Sequence, residues 1–161
     1  MFRPTVPVDT PQLLALTAAT GFFKLHEVET LDDVLADYHA DAREQYGHLA
    51  FTWEEDGTPI GFAYYAPTEM TDRTWELWWI VVDPSRQGRG LGRQMLEFVE
   101  DDVRRRNGRI LLIETSSTRH YEPTRRFYLK NNYTLAAQIA DFYADADDMV
   151  LFAKRLQEIR G

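Results

Sequence analysis

The segment from Trp78 to Met95 constrains the fold more than any other, because three kinds of element follow one another there without a spacer. The run Thr74–Val82, TWELWWIVV, is almost entirely apolar or aromatic and predicts a central strand buried on both faces. Asp83-Pro84 ends this strand, and a glycine-rich loop follows at once. From Leu91 to Arg106 the apolar residues recur at helical spacing, which predicts an amphipathic helix.

Shorter patterns on either side of this segment predict the other elements. Asp56-Gly57, between two runs rich in β-formers, is typical of a hairpin turn. The remaining predicted strands span 3–8, 48–54, 58–66, 109–116, 133–140 and 149–156, and the remaining predicted helices begin at 10, 30 and 123. A hairpin combined with a strand–helix–strand crossover predicts a mixed sheet with helices packed on it, an α+β sandwich. With 161 residues and no internal repeat or linker, the chain is expected to form one domain.

Composition excludes several classes of protein. The chain has no cysteine, so it has neither disulfides, thiolate metal sites nor a cysteine nucleophile, which suits a reducing cytoplasm. No run approaches the roughly 20 apolar residues of a membrane span, and no apolar signal core follows the N-terminus. The four histidines have no metal-ligand spacing, so no metal site is expected.

The charge is unevenly distributed. The net charge of −8 argues against a nucleic-acid partner, which would require a basic face. The segment from Arg86 to Lys130 nevertheless carries eleven basic and six acidic residues, and the rest of the chain carries 7 basic and 20 acidic ones. One part could therefore bind an anion while the remainder favours a cation, although both could also be solvated surface.

The glycine-rich loop predicts an anion site. Glycines allow consecutive backbone N–H groups to turn toward one point, and the start of a helix adds unpaired N–H groups with a partial positive charge. This combination suits a phosphate or pyrophosphate. The arginines that supplement it are Arg86, Arg89 and Arg93.

The spacing of the loop distinguishes among phosphate-binding motifs. It lacks the GxxxxGK[ST] phosphate loop and the G-x-G-x-x-G dinucleotide fingerprint. Gln87 to Gly92, QGRGLG, fits Q/R-x-x-G-x-G/A and resembles the acetyl-CoA pyrophosphate loop of the GNAT superfamily of N-acetyltransferases. The alternative, a plain glycine-rich turn, is weakened by the strand before the loop and the helix after it.

A second segment strengthens this resemblance. Tyr121 to Tyr133, YEPTRRFYLKNNY, resembles the family segment N-x-x-A-x-x-F-Y-x-K-x-G-F, and Phe127, Tyr128 and Lys130 match it directly. Tyr121 stands where the family often has the asparagine that touches the pantetheine arm, which puts that contact in doubt. The resemblance covers about residues 45–156.

The resemblance implies a GNAT-type mixed, mostly antiparallel sheet of six to seven strands flanked by about four helices. It implies a single N-acetyltransferase domain over 1–161, with a variable acceptor-side region at about 9–46 and an acetyl-CoA core at about 74–131. Acetyl-CoA is the expected co-substrate, without a metal. The expected cofactor-binding residues are Ile80, Val81, Val82, Gln87, Gly88, Arg89, Gly90, Leu91, Gly92, Arg93 and Tyr121.

The resemblance also implies catalytic roles. Tyr128 is the expected acid for the leaving thiolate, the alternative being a core aromatic residue. Glu76, a lone carboxylate in an apolar strand, is a candidate general base, since burial would raise its pKa. Glu114, isolated in the next apolar strand, is the second candidate. Either carboxylate could instead bind the substrate ammonium or pair with an arginine.

The expected reaction is direct acetyl transfer from acetyl-CoA to a primary amine, with a small cationic acceptor favoured by the acidic remainder of the chain. The alternatives are a protein N-terminal or lysine acetyltransferase and a non-catalytic acyl-CoA-binding regulator. A homodimer is compatible with the family. Trp75 or Trp79 could border the acceptor cleft. The acidic tract from Asp141 to Asp148 is expected to be a solvated loop, which in this family can border the acceptor site or a dimer contact.

Overall fold

The computed structural model describes residues 1–157 and confirms a mixed α+β fold. The strands of the described chain are β1 (Phe2–Pro4), β2 (Leu49–Glu55), β3 (Thr58–Pro67), β4 (Thr74–Val82), β5 (Ile110–Ser116), β6 (Thr134–Ala144) and β7 (Asp147–Arg155). The helices are α1 (Thr10–Ala19), α2 (Leu25–Asp37), the single turn α3 (Arg43–Gln45), α4 (Leu91–Arg105) and α5 (Glu122–Lys130). The strands are hydrogen-bonded in the order β1-β2-β3-β4-β5-β7-β6. No helix within residues 1–157 has the length and apolar character needed to cross a membrane.

The chain divides into two compact units. The first unit comprises Met1–Pro67 and Trp78–Val99, and the second comprises Thr68–Leu77 and the chain from Glu100 onward. In the first unit β2 and β3 form the predicted hairpin, with positive φ angles of 51° at Asp56 and 76° at Gly57. Two positive φ angles are what a tight turn between right-twisted strands requires.

The core of the first unit forms where α1 and α2 bury their apolar faces with residues of the β-strands. Its fully buried members include Leu13, Leu31, Leu35 and Phe62. Trp79 packs against this core, with its ring 5.3 Å from that of Phe23.

The second unit contains the predicted closing strand pair. β7 pairs antiparallel with both β5 and β6, and the start of β4 pairs in parallel with β5. The parallel register runs from Thr74↔Ile110 to Glu76↔Leu112. Leu111 and Phe152 lie in the interior, together with Tyr128 from α5.

The N-terminal boundaries differ from the predicted ones. α2 begins at Leu25 rather than at Thr30, because the Glu27 carboxylate accepts a 2.7 Å hydrogen bond from the backbone N–H of Lys24 and caps an earlier start. β1 ends at Pro4 rather than continuing to residue 8, since Pro7 opens a 3-10 turn instead of extending the strand.

The prediction that β4 is buried on both faces is wrong. Trp75, Leu77 and Val81 are buried, whereas the alternate positions are half-buried or exposed, and Trp78 is 44% exposed. The run looks apolar throughout because large aromatic side chains occupy both faces, yet only one face is in the interior.

The prediction of a solvated loop at the acidic tract is also wrong. Asp141 belongs to β6, and Asp147 and Asp148 belong to β7, so the two strands continue into a tight hairpin. The Asp148 carboxylate accepts hydrogen bonds from the side-chain amide of Gln138 and the backbone N–H of Asp141. These hydrogen bonds connect β6 to β7 where their register is irregular, between Ile139 and Ala144.

Candidate active site

The connection from β4 to α4 is anchored where it leaves the strand. The backbone N–H of Asp83 donates to the carbonyl of Ile60 at 2.8 Å, and the Asp83 carboxylate accepts from the N–H of Ser85 at 2.9 Å. The side-chain amide of Gln87 donates to the carbonyl of Val82 at 3.3 Å. These bonds fix the point from which the glycine loop begins.

Gly61 on β3 allows the end of β4 and the start of α4 to approach β3 closely. A Cβ atom at this position would lie 2.8 Å from the carbonyl oxygen of Val81 and 3.0 Å from the sulfur of Met95. A side chain on Gly61 would therefore displace the end of β4 or the first turns of α4. The absence of a side chain keeps the strand and the helix close on either side of the loop.

Glycine suits the loop because of its backbone conformation, and not because neighbouring atoms leave no space for a side chain. Gly88 and Gly90 have φ angles of 81° and 76°, and a Cβ atom on either would meet no other atom within 4 Å. Within residues 1–157, no hydrogen bond involves the backbone N–H of Gly88, Arg89 or Gly90 as donor. Together with the first N–H groups of α4, they form an exposed row of donors suited to phosphate oxygens.

The three arginines of the loop differ in their partners. Arg86 pairs with Glu55, and Arg93 pairs with Glu97 at 2.9 Å. Arg89 has no carboxylate partner among the described residues and is exposed. Arg89 is therefore the arginine of the three whose guanidinium group could bind an incoming anion without first giving up a carboxylate partner.

Two predicted candidates for the general base lie together in the second unit. Glu76 is on β4 and Glu114 is on β5, two residues beyond the partner of Glu76 in the parallel register. Their side chains are close enough for the charge of Glu114 to act on the carboxyl group of Glu76. Burial, and then the negative charge of Glu114, raise the pKa of Glu76 to about 7. The two candidates are thus neighbours on adjacent strands of the second unit, rather than two separate sites.

Tyr143 extends this carboxylate pair, and the sequence analysis missed it. Its hydroxyl donates to Glu114 Oε2 at 3.4 Å, and its own pKa is raised by burial and by the charge of Glu114. Asp147, across the turn of the same hairpin, also contributes to raising this pKa. The contact joins residues 29 positions apart, so only the folded hairpin reveals it.

Tyr128 lies in the interior of the second unit and is 4% exposed. Its ring is 5.8 Å from the rings of Tyr133 and Phe152, and burial raises its pKa. The phenol is therefore protonated at neutral pH and is a weaker acid than an exposed tyrosine. Tyr121 ends the 3-10 turn that leads into α5, with its ring 5.2 Å from that of His120.

The predicted residues are thus distributed over both units. The strand end Ile80–Val82 and the loop Gln87–Arg93 belong to the first unit. The second unit holds Tyr121, Tyr128 and the carboxylate pair. Among residues 1–157, no group of three or more metal-ligating side chains is assembled.

The first unit also contains a cleft of about 370 Å³. It lies at the C-terminal end of α2, inside the region expected to face the acceptor, and sequence analysis did not identify it. Its lining residues are Val34, Asp37, Ala40, Asp41, Ala42, Gln45, Tyr46, His48, Tyr64 and Trp78. Trp78, rather than Trp75 or Trp79, is the tryptophan that borders it: Trp75 is buried and Trp79 packs on the core.

The family of the chain follows from its sequence. Residues 14–133 match the model of the Acetyltransferase (GNAT) family, so the chain belongs to this family. It is an acyltransferase, and acetyl-CoA is its acyl donor. Among curated proteins, none matches the chain in sequence.

Solved structures agree with this assignment. A GNAT-family protein from Desulfovibrio desulfuricans is 35% identical, with a TM-score of 0.92 over 98% of this chain and 99% of its own. A Salmonella typhimurium protein solved with its cofactor acetyl-CoA is 22% identical, with a TM-score of 0.78 over 100% and 96%. An aminoglycoside 6'-N-acetyltransferase from Enterococcus faecium is 19% identical, with a TM-score of 0.72 over 100% and 99%. The two more distant structures show the same fold and no more.

Proposed function

We propose that this enzyme transfers the acetyl group of acetyl-CoA to a primary amine of a small cationic molecule, with Glu76 and Glu114 as the proton-accepting pair. The observation that carries the proposal is the pair itself: Glu114 lies two residues beyond the register partner of Glu76, and burial together with the charge of Glu114 raises the pKa of Glu76 to about 7. Acetyl-CoA supplies an acetyl group already activated as a thioester.

The pair matches the proton that must be removed. An aliphatic amine is mostly protonated at neutral pH, and only its neutral form has a lone pair for attack. A base works best when its pKa lies near the working pH, because it is then both largely ionised and basic enough to accept a proton. Glu76 meets this condition, whereas an exposed glutamate would be ionised but weakly basic.

The glycine loop is the proposed site for the pyrophosphate of acetyl-CoA. Its support is the row of backbone donors at Gly88, Arg89 and Gly90, together with the helix that begins at Leu91. The strand end Ile80–Val82 and Tyr121 are proposed to bind the rest of the cofactor, on the strength of the family motif. Tyr128 is proposed as the acid for the departing thiolate, on the strength of the same family motif.

The distribution of charge supports a cationic acceptor. The sequence outside Arg86–Lys130 has 20 acidic and 7 basic residues, so its field attracts positively charged molecules. The Enterococcus faecium neighbour is named for an aminoglycoside, a polyamine in chemical terms. The lack of cysteine is in keeping with a cytoplasmic enzyme.

The test is CoA release from acetyl-CoA in the presence of a panel of amines, with the acetylated product identified by mass spectrometry. Wild type is expected to acetylate at least one small cationic amine, and Glu76→Gln to lose about 100-fold in turnover while binding acetyl-CoA with the same affinity. Acetylation of peptides alone would overturn the small-molecule acceptor. Equal turnover by Glu76→Gln and wild type would remove the carboxylate pair from the mechanism.

A further inference from the structure

Strand β6 of the second unit is uncovered along its whole length. All eleven residues from Thr134 to Ala144 are exposed. Among the described residues β6 is hydrogen-bonded to β7 alone, so the backbone groups along its other edge face no strand. A free edge of this kind is a template for pairing with another strand.

β6 also lacks the charged and proline residues that usually keep an edge strand from pairing. Its sequence, TLAAQIADFYA, contains no lysine, arginine or proline, and Asp141 is its only charged residue. The Asp141 carboxylate accepts a 2.7 Å hydrogen bond from the backbone N–H of Ala146, within the same hairpin. Another strand can therefore approach this edge without meeting a row of charges.

The exposed apolar side chains of β6 lie on both of its faces. Leu135 lies opposite Phe152, and Ile139 lies opposite Met149. Cross-strand partners share a face, and positions 152 and 149 are an odd number of residues apart, so Leu135 and Ile139 point to opposite faces. A partner lying on one face of the sheet would leave the other face uncovered, whereas a strand beside the free edge brings side chains to both.

A second copy of β6 complements this edge. In an antiparallel alignment of β6 with its own copy, centred on Ile139, Leu135 of one copy stands opposite Tyr143 of the other. Pairs of an aromatic and an aliphatic side chain stabilise neighbouring strands. The same alignment places Asp141 opposite Ala137, so the two aspartates do not repel each other across the axis.

The exposed apolar surface is large enough to contribute most of a stable interface. The side chains of Leu135, Ile139, Phe142 and Tyr143 are between 46% and 55% exposed. Together they present about 400 Å², half of the ~800 Å² that each partner buries in a stable complex. The other residues of β6 are exposed as well. Apolar surface of this extent on one element normally marks an interaction site.

We propose that the protein is a homodimer in which β6 lies antiparallel to β6 of a second copy, about a two-fold axis close to Ile139. A strand placed antiparallel to its own copy gives the closed two-fold symmetry that is commonest among oligomers. The partner's Leu135 then packs on Tyr143, whose hydroxyl donates to Glu114. The second copy thus supports a side chain that contacts one of the two candidate bases.

The mass of the protein in solution tests this proposal, and sedimentation equilibrium over a range of concentrations measures it. Wild type is expected at twice the chain mass of 18.8 kDa. Ile139→Lys places two ammonium groups beside the axis and is expected at the mass of one chain, with an unchanged circular dichroism spectrum. Leu25→Lys, the same kind of change at an exposed position on α2, is the matched control and should remain dimeric. Monomeric wild type, or dimeric Ile139→Lys, would overturn the proposal.

A cross-linking measurement decides the question if Ile139→Lys fails to fold. The chain has no cysteine, so a single introduced cysteine reports on one position. Ile139→Cys is expected to form a disulfide-linked dimer under mild oxidation about tenfold faster than Leu25→Cys, because the two copies of residue 139 are neighbours across the axis. Equal rates would place any contact between copies away from β6 and overturn the proposal. Neither measurement uses acetyl-CoA or an amine, so both outcomes are independent of the proposed function.

Discussion

The glycine loop of the first unit and the carboxylate pair of the second unit achieve their properties by opposite means. The loop is exposed, and its character comes from backbone N–H groups held by glycines with positive φ angles. The pair depends on burial, which raises the pKa of Glu76 by removing a carboxylate from water. One region exposes backbone hydrogen-bond donors to solvent, and the other withdraws a carboxyl group from water.

This difference explains what the sequence could and could not predict. The loop is local: its glycines, the end of the preceding strand and the start of the following helix lie within the eighteen residues from Trp78 to Met95, so its conformation was predictable from spacing. The pair depends on the parallel register that sets Glu76 opposite Leu112. From sequence alone Glu76 and Glu114 were competing candidates, because nothing local shows that they touch.

The same reasoning applies to the fold and the cleft. The hairpin at Asp56-Gly57 was predictable because the turn residues themselves demand its geometry. The early start of α2 was not, since it rests on one hydrogen bond from Lys24 to Glu27. The cleft joins Asp37 to Trp78, forty-one residues apart, and no periodicity relates them.

The largest expected effect is a loss of acetyl-CoA affinity when the glycine loop is changed. Gly90→Glu should weaken acetyl-CoA binding about 100-fold or more, because it adds a negative charge and imposes a side chain where φ is 76°. Calorimetry measures the affinity. Gly57→Glu is the matched control, with the same φ and no atom near its Cβ, and should retain normal binding. Normal binding by Gly90→Glu would mean that the pyrophosphate lies elsewhere.

The next effect concerns the buried phenol. Tyr128→Phe should lower kcat about tenfold to 100-fold with little change in the affinity for acetyl-CoA, because only the proton donor is lost. Single-turnover kinetics and calorimetry measure the two quantities. Tyr133→Phe is the control, since its hydroxyl donates to Glu100 and its loss should reduce stability rather than turnover. Unchanged kcat in Tyr128→Phe would leave that residue as a core aromatic.

A stability measurement tests whether burial of Glu76 lowers the free energy of unfolding at high pH. Because the pKa of Glu76 is raised on folding, the folded protein holds a proton that the unfolded chain has released between pH 4.5 and about 7. Stability from this group is therefore present at low pH and lost as pH rises through that interval. Glu76→Gln should be more stable than wild type by about 2 kcal/mol at pH 8, a figure reduced for the solvent screening of a partly exposed side chain, with little difference at pH 4. Equal denaturation midpoints at pH 8 would contradict the burial.

The smallest expected effect distinguishes the role of Glu114 from that of Glu76. Glu114→Gln removes the negative charge but leaves Glu76 buried, so the pKa of Glu76 should fall part of the way toward 4.5. The rising limb of the pH–rate profile should then move to lower pH by about one unit. Complete loss of that limb in Glu114→Gln would instead identify Glu114 as the residue that takes the proton.

The most direct test of the carboxylate pair is the pH dependence of kcat/KM for wild type and Glu76→Gln, measured with one acceptor amine from pH 5 to 9. The wild-type rate should rise with pH and level off through a midpoint near 7, where Glu76 loses its proton. Glu76→Gln should lose this transition and keep only the limb that belongs to the amine. The same midpoint near 7 in both proteins would contradict the assignment of the proton-accepting role to Glu76.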